Sequence, residues 1–187
     1  MLKKRELSDC PILFDLMTDP AVFPYVRHKA GSLDEFMFLT KQTIEAEELG
    51  EMISRTILDE WGNPIGTINL YDIQNSAGFL GTWIGSPYFG KGYNQKAKDA
   101  FFTELFFDRN IETIFMRINK ENIRSQKAAE KLPYNQLADQ TNPELYQQIN
   151  NGEKQYHLYK IEKDHYLLHT MRQPVELTTE AEELKEA

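Results

Sequence analysis

The segment Trp83-Ile84-Gly85-Ser86-Pro87-Tyr88-Phe89-Gly90-Lys91-Gly92-Tyr93 carries the clearest chemistry in the chain. It reads as the end of a strand, a glycine-rich loop and the start of a helix. The first N–H groups of a helix have no partner within it and sit at the positive end of its dipole. A phosphate seated there meets several donors at once. Gly90 and Gly92 let a backbone approach such a group with no Cβ in the way, and Lys91 adds a charge. The segment is not a Walker loop, because G-x-x-x-x-G-K-S/T is absent, nor a dinucleotide fingerprint, because G-x-G-x-x-G fails at Gln95. Alone, it is equally an ordinary strand-to-helix connection.

A second segment lies at residues 119–134. On a helix, Asn122, Ser125 and Ala129 share one face and present a carboxamide and a hydroxyl above a small-residue surface. Such a face can bond a polar ligand. A capped amphipathic helix with a solvated Ser125 has the same pattern.

Placing these groups requires a sheet. Residues 2–7 make a short first strand, and Ser8 and Asp9 start a helix that tolerates Pro11 in its first turn. Ile12, Leu13, Leu16 and Met17 recur at helical spacing until Asp19-Pro20. Residues 22–26, interrupted by Pro24, read as a brief helical turn or a loop. Ser32-Leu33-Asp34-Glu35 is a capping box, and the helix it opens runs to Gly50. The period then changes to two. Strands over 52–58, 65–71 and 79–84, with turns at 61–64 and 74–76, make an antiparallel meander.

A helix over 93–108 carries an apolar stripe of Ala97, Ala100, Phe101 and Leu105, widened by Phe102 and Phe106. A strand over 113–118 follows, and this connection makes it parallel to 79–84. Asn119 or Asn122 caps a helix over 121–132 that stops at Pro133. Residues 137–152 are polar and give no assignment. A late strand spans 156–163, and Asp164 caps a short helix to Met171. No interior linker is long enough to split the chain, so one domain over 1–172 and an acidic tail over 173–187 are expected.

At 187 residues, 41% hydrophobic and 27% charged, the chain fits one globular domain. No apolar run approaches the ~18 residues of a membrane span. The basic start Met1-Leu2-Lys3-Lys4-Arg5 lacks the apolar core of a secretion signal. The single cysteine, Cys10, excludes an internal disulfide and a thiolate zinc cluster, and it fits a reducing cytoplasm as a small buried helix residue. His28, His157, His165 and His169 have no metal-ligand spacing backed by acidic neighbours on one face; His165 and His169, four apart on a possible helix, read as a surface pair, so no metal is expected. The net charge of −8 disfavours nucleic acid and accommodates a cationic amine. Five glutamates and one lysine in residues 176–186 carry part of that charge, so the body is closer to neutral.

Together, at this spacing, the two segments resemble the GNAT acyltransferase superfamily, especially its branch of ribosomal-protein alanine acetyltransferases. The likeness rests on Asp19-Pro20 with Val22 and Tyr25, on Gly62-Asn63-Pro64-Ile65-Gly66-Thr67-Ile68, and on Trp83-Ile84-Gly85. Gly90-Lys91-Gly92-Tyr93 and Asn122-x-x-Ser125 with Glu130-Lys131-Leu132 complete it, over residues 2–163. The resemblance implies an α/β (α+β) three-layer fold, with a central mixed, mostly antiparallel twisted sheet, a splayed parallel strand pair and flanking helices. It implies acetyl transfer from acetyl-coenzyme A to a primary amine of a small molecule or a protein N-terminus, by direct attack in a ternary complex. Monomer and homodimer both remain open.

The same resemblance implies site residues. The pyrophosphate would sit on the amides of Phe89, Gly90, Lys91, Gly92, Tyr93, Asn94 and Gln95. The pantetheine arm would lie between the strands ending at Ile84 and Ile118, bonded by Asn122. Amides near Trp83 and Ile84 would face the oxyanion, and Ser125 would protonate the departing thiolate. Lys91, Lys127 or Lys131 would meet the adenosine phosphates. Four departures stand out: Pro87 before the loop, Asn94-Gln95-Lys96 at the helix start, Phe79 where relatives often carry a glutamate base, and Ala128-Ala129 where other branches end in a tyrosine proton donor. Pro133-Tyr134 also replaces a common Gly-Phe. Asp72, acting through water, is then the base candidate, ahead of Tyr71, Glu47 and Glu121. The missing groups keep an alternative open: a coenzyme A-binding module with little or no catalysis, acting as a sensor or interaction partner.

Overall fold

In the computed structural model, which describes residues 1–172, the chain runs β1 (Leu2–Lys4), α1 (Cys10–Met17), α2 (Leu33–Glu48), β2 (Ile53–Leu58), β3 (Pro64–Gln74) and β4 (Ala77–Ile84). It continues through α3 (Tyr93–Thr103), β5 (Thr113–Asn119), α4 (Ile123–Glu130), β6 (Gln136–Leu137), α5 (Pro143–Ile149), β7 (Tyr156–Glu162) and α6 (Lys163–Arg172). The strands form one sheet in the order β1-β2-β3-β4-β5-β7-β6. Only β4 and β5 are parallel neighbours; every other pair is antiparallel. The expected acidic tail lies outside the described residues.

Local signals explain most element ends. Ser32 Oγ accepts the Glu35 N–H at 3.2 Å. The Glu35 carboxylate reaches back to the Gly31 N–H at 2.6 Å, closing the capping box one residue early. Asn75 and Ser76 both take left-handed backbone, with φ of 50° and 59°, in the two-residue turn that joins β3 to β4.

Two cores lie on opposite faces of the sheet. One joins the sheet to α3, the end of α4 and α6 through Phe101, Phe102, Phe106, Leu132, Tyr134 and Tyr166. The other holds α1 and α2 through Cys10, Leu13, Met17 and Phe36, with Trp83 and Phe89 against it. Cys10 is fully buried there.

Three departures from the expected elements have local causes. The helix after the glycine loop is α-helical only to Thr103, and residues Glu104–Asp108 are π-helical. There Glu104 meets Arg55, a buried guanidinium on β2 that also binds Glu47 of α2 at 2.6 Å. Asp164 lies inside the first turn of α6 instead of capping it, because β7 runs directly into the helix. The unassigned stretch 137–152 contains α5, opened by Pro143, after the short β6.

Candidate active site

β4 and β5 pair at only three positions, Ala77 with Thr113, Gly78 with Ile114 and Phe79 with Phe115. Beyond them β4 stays on β3 as far as Ile84, and β5 stays on β7 as far as Asn119. Each strand keeps its outer neighbour while losing the inner one, so a wedge opens between residues 80–84 and 116–119. The Gly85 N–H donates to Ile65 O at 2.8 Å. Alternation along an antiparallel pair then turns the N–H groups of Gly81 and Trp83 toward β3, and those of Leu80, Thr82 and Ile84 toward the wedge. Of the two residues expected to offer amides, Ile84 therefore faces the opening. The Trp83 N–H faces β3, and its indole packs against the core under α1 and α2.

Thr82 Oγ1 is buried and has no hydrogen-bond partner among the described residues. Such an orphan calls for a ligand group. Its residue type alone gave no reason to single it out; only the strand register puts it beside the wedge.

The loop after β4 follows from its glycines and a tether. Gly90 and Gly92 have φ of 73° and 81°, and a Cβ on either would point into open space. Gly92 is the N-cap of α3 and has no side chain to satisfy the first donors. The Lys96 N–H donates to Gly92 O at 3.1 Å, so the N–H groups of Tyr93, Asn94 and Gln95 precede the first α-helical bond. Asn94 Oδ1 is also buried without a partner among the described residues. Ser86 Oγ donates to the Asp19 carboxylate, which also accepts the Ala21 N–H at 2.7 Å. These bonds, Ser86 first, hold the Asp19 carboxyl below its ordinary pKa and tie the loop to the turn after α1.

The start of α4 forms the facing lip. Asn122 Oδ1 accepts the Ser125 N–H at 3.1 Å, so half of the carboxamide is used as the helix cap. The amide nitrogen of Asn122 and the half-buried hydroxyl of Ser125 have no partner among the described residues. Arg124 reaches across to Phe89, its guanidinium 4.0 Å from the ring centre. A groove of about 380 Å³ runs between the 20–25 turn and this lip, lined by Pro24, Tyr25, Asn122 and Arg124 among others.

At the vertex of the wedge, Phe79 sits between Tyr71, at 6.0 Å, and Phe115, at 5.8 Å. Asp72 follows on a bulge with φ of 53°, and its exposed carboxylate lies 3.3 Å from Arg27. The Arg27 guanidinium is 3.5 Å from the centre of the Tyr71 ring. His28 is held below its usual pKa by burial first and then by Arg27 and Arg117, with Asp72 opposing. Of the weaker base candidates, Glu47 is bound to Arg55, while Glu121 borders the groove. Among the described residues, no group of three or more His, Cys, Asp or Glu could hold a metal ion, and no helix is long and apolar enough to cross a membrane.

This arrangement can receive an extended, amide-bearing arm on the free edge of β4 and an anionic diphosphate at the start of α3. Residues 1–135 match the family Acetyltransferase (GNAT) domain. "Uncharacterized N-acetyltransferase p20" of Bacillus licheniformis is 25% identical over 140 residues, 71% of this chain and 77% of that one. A chimeric spermidine N-acetyltransferase of Vibrio cholerae superposes with a TM-score of 0.71 at 19% identity, covering 89% of this chain and 97% of that one. The ribosomal-protein-S5-alanine acetyltransferase of Vibrio fischeri gives 0.69 at 18%, covering 87% and 92%. At those identities the structural likeness is one of fold. The family match spans the strand, the loop and the facing lip, and from it the chain belongs to the GNAT family as an acetyl-CoA-dependent N-acetyltransferase.

Proposed function

We propose that acetyl-CoA lies in the wedge between β4 and β5, and that the acceptor is a primary amine of a small molecule or of a protein N-terminus. The observation that supports this reading best is the three-residue pairing of β4 with β5, with an unpaired β4 edge beside it. The arm would bond the Thr82 and Ile84 backbone, Thr82 Oγ1 and the Asn122 amide. The diphosphate would rest on the amides of residues 90–95, since the expected Phe89 N–H already donates to Ser86 O at 3.2 Å, with Lys91, Lys127 or Lys131 near the adenosine phosphates.

The acceptor nitrogen attacks the thioester carbonyl carbon, a C–N bond forms and the C–S bond breaks. An alkyl amine of pKa ~10 must first lose a proton. Asp72 is our base candidate, working through water. The free β4 amides stabilise the oxyanion, and the Ser125 hydroxyl gives its proton to the thiolate while taking one from water, so that the proton shed by the amine leaves through Asp72 and solvent. Arg27, 3.3 Å away, engages the Asp72 carboxylate and fixes where it stands.

Two measurements test this. Acetyl-CoA should raise the apparent melting temperature, because a ligand that binds only the folded form stabilises it. Free thiol should then appear when amines are added. Tight binding with no turnover on any amine would overturn the catalytic reading.

A further inference from the structure

Two arginines flank one phenol beside the wedge. The rings of Tyr71, Phe79 and Phe115 form a row across β3, β4 and β5 at the last position where β4 and β5 pair. Arg27, from the turn before α2, stacks on Tyr71 at 3.5 Å. Arg117 lies two residues past Phe115, so it shares that face of β5 on the unpaired stretch. Its guanidinium stands beside the Tyr71 hydroxyl and 5.6 Å from the Tyr156 ring.

The charges in this cluster do not balance. Arg27 has one carboxylate, the exposed Asp72 at 3.3 Å. Arg117 is half-buried and has no carboxylate within ion-pair distance among the described residues. A guanidinium taken partly out of water needs an anion, and its fork fits a carboxylate or phosphate with two parallel bonds. The lowered pKa of His28, due to burial first and to these two arginines second, reports the same positive field. The net charge of −8 belongs to the whole chain and does not describe this spot.

We infer that the acceptor carries an anionic group, a carboxylate or phosphate, in the same molecule as its amine, and that Arg117 and Arg27 hold that group on either side of Tyr71. The inference rests on the reading that acetyl transfer occurs in the wedge. Arg117 then selects the acceptor, and the local field favours amino acids, aminoalkyl phosphates or acidic N-terminal peptides over polyamines.

Matched acceptors test it at saturating acetyl-CoA: glycine against glycinamide, phosphoethanolamine against ethanolamine, a Ser-Asp peptide against its Ser-Asn counterpart, and spermidine. The three pairs separate amino acid, phosphate and peptide sources. The anionic member of at least one pair should be favoured by about tenfold or more in kcat/KM. Arg117→Met should remove most of that preference and Arg117→Lys should keep part of it, with the acetyl-CoA thermal shift unchanged in both. Dissociation constants for the same pairs, with and without coenzyme A, give the answer even where turnover is slow. Equal efficiency and equal binding within every pair, or a preference for spermidine, would overturn the inference. A missing acetyl-CoA thermal shift would strike the donor-site reading instead and leave the pairwise binding test standing.

Discussion

Gly66 lies so close to Trp83 that a Cβ on it would fall 2.2 Å from the Trp83 carbonyl oxygen and 2.8 Å from Ile84 Cα. Both contacts are backbone, so no side chain can swing away to relieve them. Gly66→Ala should push the end of β4 off β3 and cost roughly 1–3 kcal/mol. Because the displaced segment borders the wedge, KM for acetyl-CoA should rise while KM for the acceptor stays within a small factor. Thermal melts and steady-state kinetics read both effects; an unchanged KM for acetyl-CoA would separate this edge from donor binding.

Ser125→Ala removes a hydroxyl that holds no structural bond among the described residues. Its N–H bond to Asn122 survives the change. Stability and the acetyl-CoA thermal shift should therefore hold, while kcat falls by about 10²-fold if the hydroxyl protonates the thiolate. A kcat within twofold of the parent would remove Ser125 from the reaction.

Arg55 joins α2 to the π-helical turn after α3 through Glu47 and Glu104. Burial opposes its charge, yet the two carboxylates more than restore it, and its pKa stands above the ordinary arginine value. Arg55→Met takes the cation from Glu47 and leaves Glu104 with Arg109, at 3.1 Å. Losing one partner of a buried ionic group costs about 3–5 kcal/mol. Chemical denaturation should show a loss of that order, and a loss below about 1 kcal/mol would mean that water replaces the arginine.

Lys98 on α3 is 7% exposed, and burial pulls its amine down from 10.5 to about 8, with Asp99 opposing. Between those values the unfolded chain binds a proton that the folded chain has shed. Stability should therefore climb as pH rises from about 8 toward 10.5, and the burial cost should be constant below about 8. Lys98→Met should be more stable at pH 7 by on the order of 3 kcal/mol and should lose the climb. Melts across that range check the sign.

The legible parts of the fold were those written locally. The capping box at Ser32, the period change after Gly50 and the turns of the meander each state their own conformation in a few residues. The parallel relation of β4 and β5 followed from a strand, a helix and a second strand in sequence. Residues 143–149 were opaque because a short, weakly patterned helix depends on β7 for support. At the site, the glycine loop could be read because its backbone geometry demands glycine. The cluster of Arg27, Tyr71 and Arg117 could not. Its members lie on a turn and two different strands, and no spacing rule links them. Thr82 was hidden for a related reason: an unpartnered hydroxyl exists only once the register decides which neighbour is missing.

The sheet is in effect two smaller sheets, β1 to β4 and β5 with β7 and β6, spliced by three rungs. A guest bonded to both torn edges would act as the absent rungs and turn two foldons into one. Hydrogen exchange should register this as simultaneous slowing at Leu80, Thr82 and Ile84 and along the inner edge of residues 116–119. Occupancy would then be felt as far away as β6, with no hinge or lid required.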